Sequence, residues 1–179
     1  MGRLIEVVPV SLGGEIGSPR DWALPYLDDE HTRYASRLLG DADALLLGRR
    51  TYGGLSAAYP TTVSNPFVER MNSIPKWVAS RTLRELAWNA TSILGDLVEF
   101  VADCKRRPGG DLLKYGNGAL VAADLIGEFH LLLAPVTVGR GQHLFQEVEG
   151  APQLSLVDVT RFNSGVLALG YAPKRAARH

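Results

Sequence analysis

The chain has 179 residues, 46% hydrophobic and 21% charged, enough to bury a core without disulfides or metal. Nineteen Lys and Arg are balanced by nineteen Asp and Glu, so the net charge is zero. That excludes the basic excess by which nucleic-acid binders and membrane-surface proteins are usually recognised.

Leu4 to Val10 is β-branched and apolar and predicts a central strand, ending at Ser11-Leu12-Gly13-Gly14. Asp28-Asp29-Glu30 place acid at a helix N-terminus, followed by an apolar stripe of Tyr34, Ala35, Leu38, Leu39 and Ala42. Ala44 to Leu47 predicts a second strand, ending at Gly48-Arg49-Arg50-Thr51. From Tyr52 to Asn72 the pattern is mixed, broken by Pro60 and Pro66, with a short helix over Phe67 to Asn72. Lys76 to Ala79 and Thr91 to Leu94 predict strands three and four. Asp96 with Glu99 has the form of a capping box for a helix whose buried stripe is Leu97, Val98, Val101 and Ala102. Lys105-Arg106-Arg107 suit its negative end, and Pro108-Gly109-Gly110 stop it.

Leu112 to Tyr115 predicts a buried strand that breaks at Gly116-Asn117-Gly118 and resumes as a helix over Ala119 to Leu125. Glu128 to Val138, Gln153 to Thr160 and Val166 to Tyr171 then read as strands, the last two joined by a hairpin turn at Asn163-Ser164-Gly165. The alternation of strand and helix, followed by strand after strand, predicts an α/β protein. Its sheet is mixed, parallel at first, with helices on both faces and an antiparallel C-terminal edge. One domain is expected over residues 1–172, with a polar, basic tail over 173–179.

Cys104 lies on the predicted helix as a buried structural thiol, and a single cysteine fits a reducing cytoplasm. The four histidines have no paired ligand spacing, so no metal site is expected. Neither a signal peptide nor a membrane span is expected, because the run after Arg3 is short and carries Glu6.

Ligands of open α/β sheets bind outside the carboxyl ends of the parallel strands. Three such ends carry anion-binding chemistry. Gly48-Arg49-Arg50-Thr51 offers backbone N–H groups, a hydroxyl and two guanidiniums; Ser80-Arg81-Thr82 offers two hydroxyls and a guanidinium. Gly116-Asn117-Gly118 offers bare backbone before a helix start, although Val121 stands where a G-x-G-x-x-G motif has its third glycine. Each segment alone also fits a turn or a cap. One pyrophosphate with one further phosphate would use all three, which describes NADP better than NAD.

Seven segments in this order resemble a known family. They are Ser11-Leu12-Gly13-Gly14, Leu46 to Tyr52, Lys76 to Leu83, Pro108 to Leu112, Tyr115 to Leu120, Pro135 to Gly141 and Phe162 to Val166. The chain resembles the dihydrofolate-reductase-like fold, a three-layer α/β/α arrangement. Within it, the chain resembles the C-terminal reductase domain of the riboflavin-biosynthesis enzyme RibD and its single-domain relatives. The resemblance implies a homodimeric NADPH-dependent reductase of a pyrimidine- or pterin-like small molecule. It would be similar to 5-amino-6-(5-phosphoribosylamino)uracil reductase or dihydrofolate reductase. It also implies cofactor contacts from Gly48, Arg49, Arg50 and Thr51, from Ser80, Arg81 and Thr82, and from Gly116, Asn117, Gly118, Ala119 and Leu120.

The family's first strand usually ends Ser-Leu-Asp-Gly, and here Gly13 replaces the Asp. Glu15, Asp21, Asp28 and Asp29 are stand-ins, with Glu15 and Asp29 the catalytic candidates and Ser11, Gly13 and Trp22 on the substrate side. At a helix start the dipole favours the charged carboxylate, so Asp28 and Asp29 suit anchoring an amino-bearing ring better than donating a proton. The alternative is an NADP(H)-binding protein without catalytic activity. Asp124 to Glu128 is a shortened connection in which Glu128 keeps an acidic position as structure.

Overall fold

Strand β1 (Leu4–Val10) is buried at six of its seven positions, as a strand flanked on both sides and covered on both faces must be. The computed structural model describes residues 2–83, 85–115, 125–145 and 153–174. Around β1 stand β2 (Ala42–Gly48), β3 (Lys76–Ala79), β4 (Ala90–Ser92), β5 (Asp111–Tyr115), β6 (Glu128–Leu133), β7 (Leu154–Arg161) and β8 (Leu167–Pro173). They form one sheet in the order β4-β3-β2-β5-β1-β6-β8-β7. The first six in that order pair in parallel; β8 is antiparallel to both β6 and β7. The mixed α/β sheet with antiparallel C-terminal strands is the expected architecture.

Helices α2 (Asp29–Gly40), α3 (Arg49–Ala58) and α4 (Pro66–Ser73) cover one face, and α5 (Leu97–Arg106) covers part of the other. On the first face Leu39, Leu45, Leu47 and Leu113 are completely buried, each worth about 1.5–3 kcal/mol of burial. On the second, Val101 of α5 packs with Leu4, Leu46 and Leu112. Caps fix the helix starts: Asp28 accepts from His31 N–H at 2.8 Å, Asn65 from Val68 N–H at 2.9 Å and Asp96 from Glu99 N–H at 2.9 Å.

Several expectations change. Helix α3 lies where the sequence pattern is mixed, because Gly53 and Gly54 weaken the local helix signal. Gly54 carries the carbonyl that accepts from Arg20 at 2.7 Å, tying α3 to α1 (Pro19–Trp22). On α5, Val98 is 38% exposed, and Phe100 takes its place against the Trp77 ring, 5.1 Å between centroids. Cys104 is half-buried, not buried. Strand β6 stops at Leu133, ahead of Pro135, which has no N–H for a ladder. The helix predicted over Ala119 to Leu125 falls almost entirely outside the described residues. The hairpin turn is confirmed: Gly165 has φ +89° and donates to Phe162 C=O at 3.0 Å.

Candidate active site

The strand order sets the site. β3, β2 and β5 are consecutive neighbours, with β1 and β6 next along the sheet. Parallel neighbours lie about 4.8 Å apart, so the strand ends Ala79, Gly48, Tyr115, Val10 and Leu133 line one edge in that order.

After β2, Gly48 is the N-cap of α3, and a Cβ added there would meet nothing within 4 Å. Among the described residues, the space on this side of the α3 start is open. Arg49 and Arg50 are exposed and Thr51 is half-buried. After β3, Ser80 Oγ accepts from the N–H groups of Thr82 at 3.3 Å and Leu83 at 3.1 Å, so the hydroxyl shapes the turn that projects exposed Arg81 and Thr82. None of these arginines forms an ion pair with another described residue. Gly116, Asn117, Gly118, Ala119 and Leu120, which follow β5, lie outside the described residues.

After β1 the chain makes a closed polar turn. Ser11 is fully buried and Glu15 is 4% exposed. The Ser11 hydroxyl donates to Glu15 Oε2, while its oxygen accepts from Gly13 N–H at 3.2 Å and Glu15 N–H at 3.1 Å. Glu15 Oε1 accepts from Gly139 N–H at 2.9 Å, and Leu12 N–H donates to Val136 C=O at 2.8 Å. The loops after β1 and β6 are thus stitched together. The Ser11 hydroxyl, with the Gly139 N–H, holds the Glu15 carboxyl below its ordinary range, so it is an acceptor. Such a group suits anchoring a ring N–H or orienting Ser11.

The other candidates sit apart. Asp29 is exposed on the first turn of α2, beside the capping Asp28. Trp22 is half-buried against the α2-side core and donates its indole N–H to Gly17 C=O at 2.9 Å. Asp21 is exposed on α1. Beside the β1 turn, a cavity of about 550 Å³ is lined by Val10, Gly14, Leu131, His143, Leu144 and Phe145.

Sequence reasoning missed two polar assemblies. Glu6 and Lys114, register partners on β1 and β5, form a buried ion pair at 2.9 Å. At the amino end of the sheet, Tyr34 O–H meets His130 Nδ1 at 2.5 Å, and His130 Nε2 meets Glu128 Oε1 at 2.8 Å. Glu128 Oε2 then pairs with Arg3 at 2.5 Å, and Arg3 pairs with Asp111 at 2.6 Å. Because Nε2 faces a carboxylate, it carries the ring proton and Nδ1 accepts from Tyr34. Burial pushes Tyr34 up to about 12 and His130 down, which keeps both neutral. Glu128 is therefore placed as structure. The i, i+2 spacing of Glu128 and His130 marked a shared strand face, but nothing local linked them to Tyr34.

Among the described residues, no group of three or more His, Cys, Asp or Glu is placed to hold a metal, and no helix is long and apolar enough to cross a membrane.

An eight-stranded mixed sheet with helices on its faces defines the protein as an α/β protein of the dihydrofolate-reductase-like fold. The model of the RibD C-terminal domain matches residues 8–168. The uncharacterized protein YyaP of Bacillus subtilis (strain 168) is 30% identical, the alignment covering 94% of each chain. A pyrimidine reductase-like protein of Corynebacterium diphtheriae superposes with a TM-score of 0.70 at 12% identity, covering 98% of this chain and 93% of that one. The Enterococcus faecalis dihydrofolate reductase complexed with NADP(H) superposes with a TM-score of 0.57 at 16% identity, covering 97% and 98%. The chain belongs to the RibD C-terminal domain family.

Proposed function

We propose that the chain is an NADPH-dependent reductase of a pyrimidine- or pterin-like small molecule, working in the cytoplasm. The observation that carries the reading is the sheet order: β3, β2 and β5, the strands preceding the three anion-suited segments, are adjacent. The residues fit the cofactor. Among the described residues, the space beside Gly48 is open to a phosphate, and Arg49, Arg50 and Arg81 have no carboxylate partner.

When bound, the dinucleotide supplies a hydride; the protein holds donor and acceptor together and excludes water. In this reading Gly48, Arg49, Arg50 and Thr51 bind phosphate and ribose phosphate, and Arg81 forks onto the 2′-phosphate. Ser80 and Thr82, whose hydroxyls lie 3.5 Å apart, offer hydroxyl groups beside it. Gly116 to Leu120 wrap the pyrophosphate. At the β1 turn, Ser11 and Glu15 anchor the polar edge of the acceptor ring, and Gly13 presents exposed backbone beside them. Asp29 and Trp22 are the outer candidates on the substrate side.

One observation favours a second reading, a cofactor-binding protein without turnover: both Glu15 oxygens already accept protein hydrogen bonds. Cofactor absorbance, followed with NADPH and a panel of pyrimidines, pterins and dihydrofolate, separates the two. Oxidation with any member supports the reductase; binding without oxidation supports the second reading; no binding overturns both.

A further inference from the structure

Tyr52 stands in the first turn of α3, on the same turn as Arg49, and its side chain is buried. Both hydrogen bonds of its hydroxyl go to one residue of another segment. It donates to Ala87 C=O at 3.1 Å and accepts from Ala87 N–H at 3.0 Å. Ala87 is exposed, on the loop between β3 and β4, so water could satisfy both of its groups. The clasp therefore fixes position more than it adds stability.

The same loop is held at both ends. At its start Ser80 Oγ accepts from Thr82 and Leu83, and Leu83 C=O accepts from Ser92 Oγ at 3.3 Å. At its finish Trp88 and Asn89 have φ +60° and +51°, a left-handed conformation that a bulky residue rarely adopts. The end of α4 maintains it: Trp88 Nε1 donates to Asn72 Oδ1 at 2.6 Å, and Asn89 Nδ2 donates to Ser73 C=O at 2.6 Å. The Trp88 ring stacks on Tyr59, 5.9 Å between centroids, and the Lys76 ammonium lies 4.2 Å from its centre. Strain of this kind persists only where the surroundings over-determine it, and it clusters at ligand clamps.

What this loop carries is Arg81. Gly48 and Ala79 are register partners, so the turns bearing Arg49 and Arg81 start from neighbouring strand ends. Both guanidiniums are exposed, without a carboxylate partner among the described residues. With no anion bound, like charges favour spreading of the two segments, and the Tyr52 hydroxyl opposes it.

We propose that Tyr52 is a positioning residue that sets the preference for NADPH over NADH. Its hydroxyl ties the loop carrying Arg81 to the helix turn carrying Arg49 and fixes the gap that receives the 2′-phosphate. This rests on the NADPH reading above. A guanidinium grips phosphate through two parallel bonds of fixed geometry, so a loop free to swing loses part of that grip. The contacts common to both nucleotides are unaffected, and only the discrimination falls.

Tyr52→Phe removes the hydroxyl, keeps the buried ring and leaves Ala87 to water. Hydrogen exchange of the Ala87 amide in the free protein reads the clasp; calorimetry with NADPH and NADH reads the preference. Ala87 should exchange at least about tenfold faster in the variant. NADPH should bind about tenfold more weakly, and NADH within about twofold of wild type. Tyr34→Phe also deletes the hydrogen bond of a buried hydroxyl, but on α2, and should leave the preference at its wild-type value. An Ala87 amide that exchanges no faster, an unchanged preference in Tyr52→Phe, or an equal fall in Tyr34→Phe overturns this role while wild-type NADPH binding stands. A wild type that binds neither nucleotide overturns the cofactor reading and this role with it.

Discussion

The Glu15 carboxylate lies where a side chain on Gly13 would begin: a Cβ there would stand 2.5 Å from Oε2 and 2.7 Å from Oε1. Gly13 and Glu15 act as one device, because Ser11 and Gly139 hold the carboxylate in that place. The carboxylate at this turn belongs to residue 15.

Gly13 is not among the glycines with positive φ, so alanine fits its backbone and can act only by displacing the carboxylate. Gly13→Ala should lower the melting temperature by about 3–6 °C, the scale of lost hydrogen bonds in a chain this size. In a Glu15→Ala background the same change should cost almost nothing. Thermal unfolding of the four proteins measures the coupling. Equal losses in both backgrounds would show the two residues to be independent.

Tyr34→Phe removes the donor to His130 Nδ1 while keeping the ring packed edge-on against Phe162, 5.6 Å between centroids. A buried acceptor left without its partner costs about 1–2 kcal/mol. Urea unfolding should show a lower midpoint at unchanged slope. An unchanged midpoint would mean that the chain from Tyr34 to Arg3 does not brace α2 on the sheet.

Burial lowers the pKa of both His130 and His31 below the ordinary 6.5. Below pH 6.5 the unfolded chain binds protons that the folded chain refuses, so stability is full above that value and falls with pH below it. His130→Asn should flatten the loss between pH 6.5 and 5 by His130's share and leave that of His31. A slope identical to wild type would contradict the assignment.

The fold was legible because its signals are local. The apolar run of β1, the Asp96 cap and the Asn163-Ser164-Gly165 turn each sit in a few contiguous residues. Helix α3 was not, since Gly53 and Gly54 argue against a helix that Arg20 and sheet packing stabilise from outside. Lys76 reads as an ordinary strand start. In the fold it is 1% exposed, donating to Ile74 C=O at 2.7 Å beneath the Trp88 ring. At the site, the strand ends were readable from composition, but their adjacency came from strand order. The Glu15 position over Gly13 depends on Gly139, more than 120 residues away, which no local pattern encodes.

Titration calorimetry with NADPH and NADH, on wild type and on Arg49→Ala and Arg81→Ala, tests the cofactor site most directly. The wild type should bind NADPH in the micromolar range typical of such enzymes, and NADH more weakly. Each substitution should weaken NADPH by about tenfold, the worth of one charge-assisted phosphate contact, and Arg81→Ala should leave NADH unchanged. Absent binding, or equal affinity for both nucleotides that neither substitution alters, would contradict the assignment of this edge to NADPH.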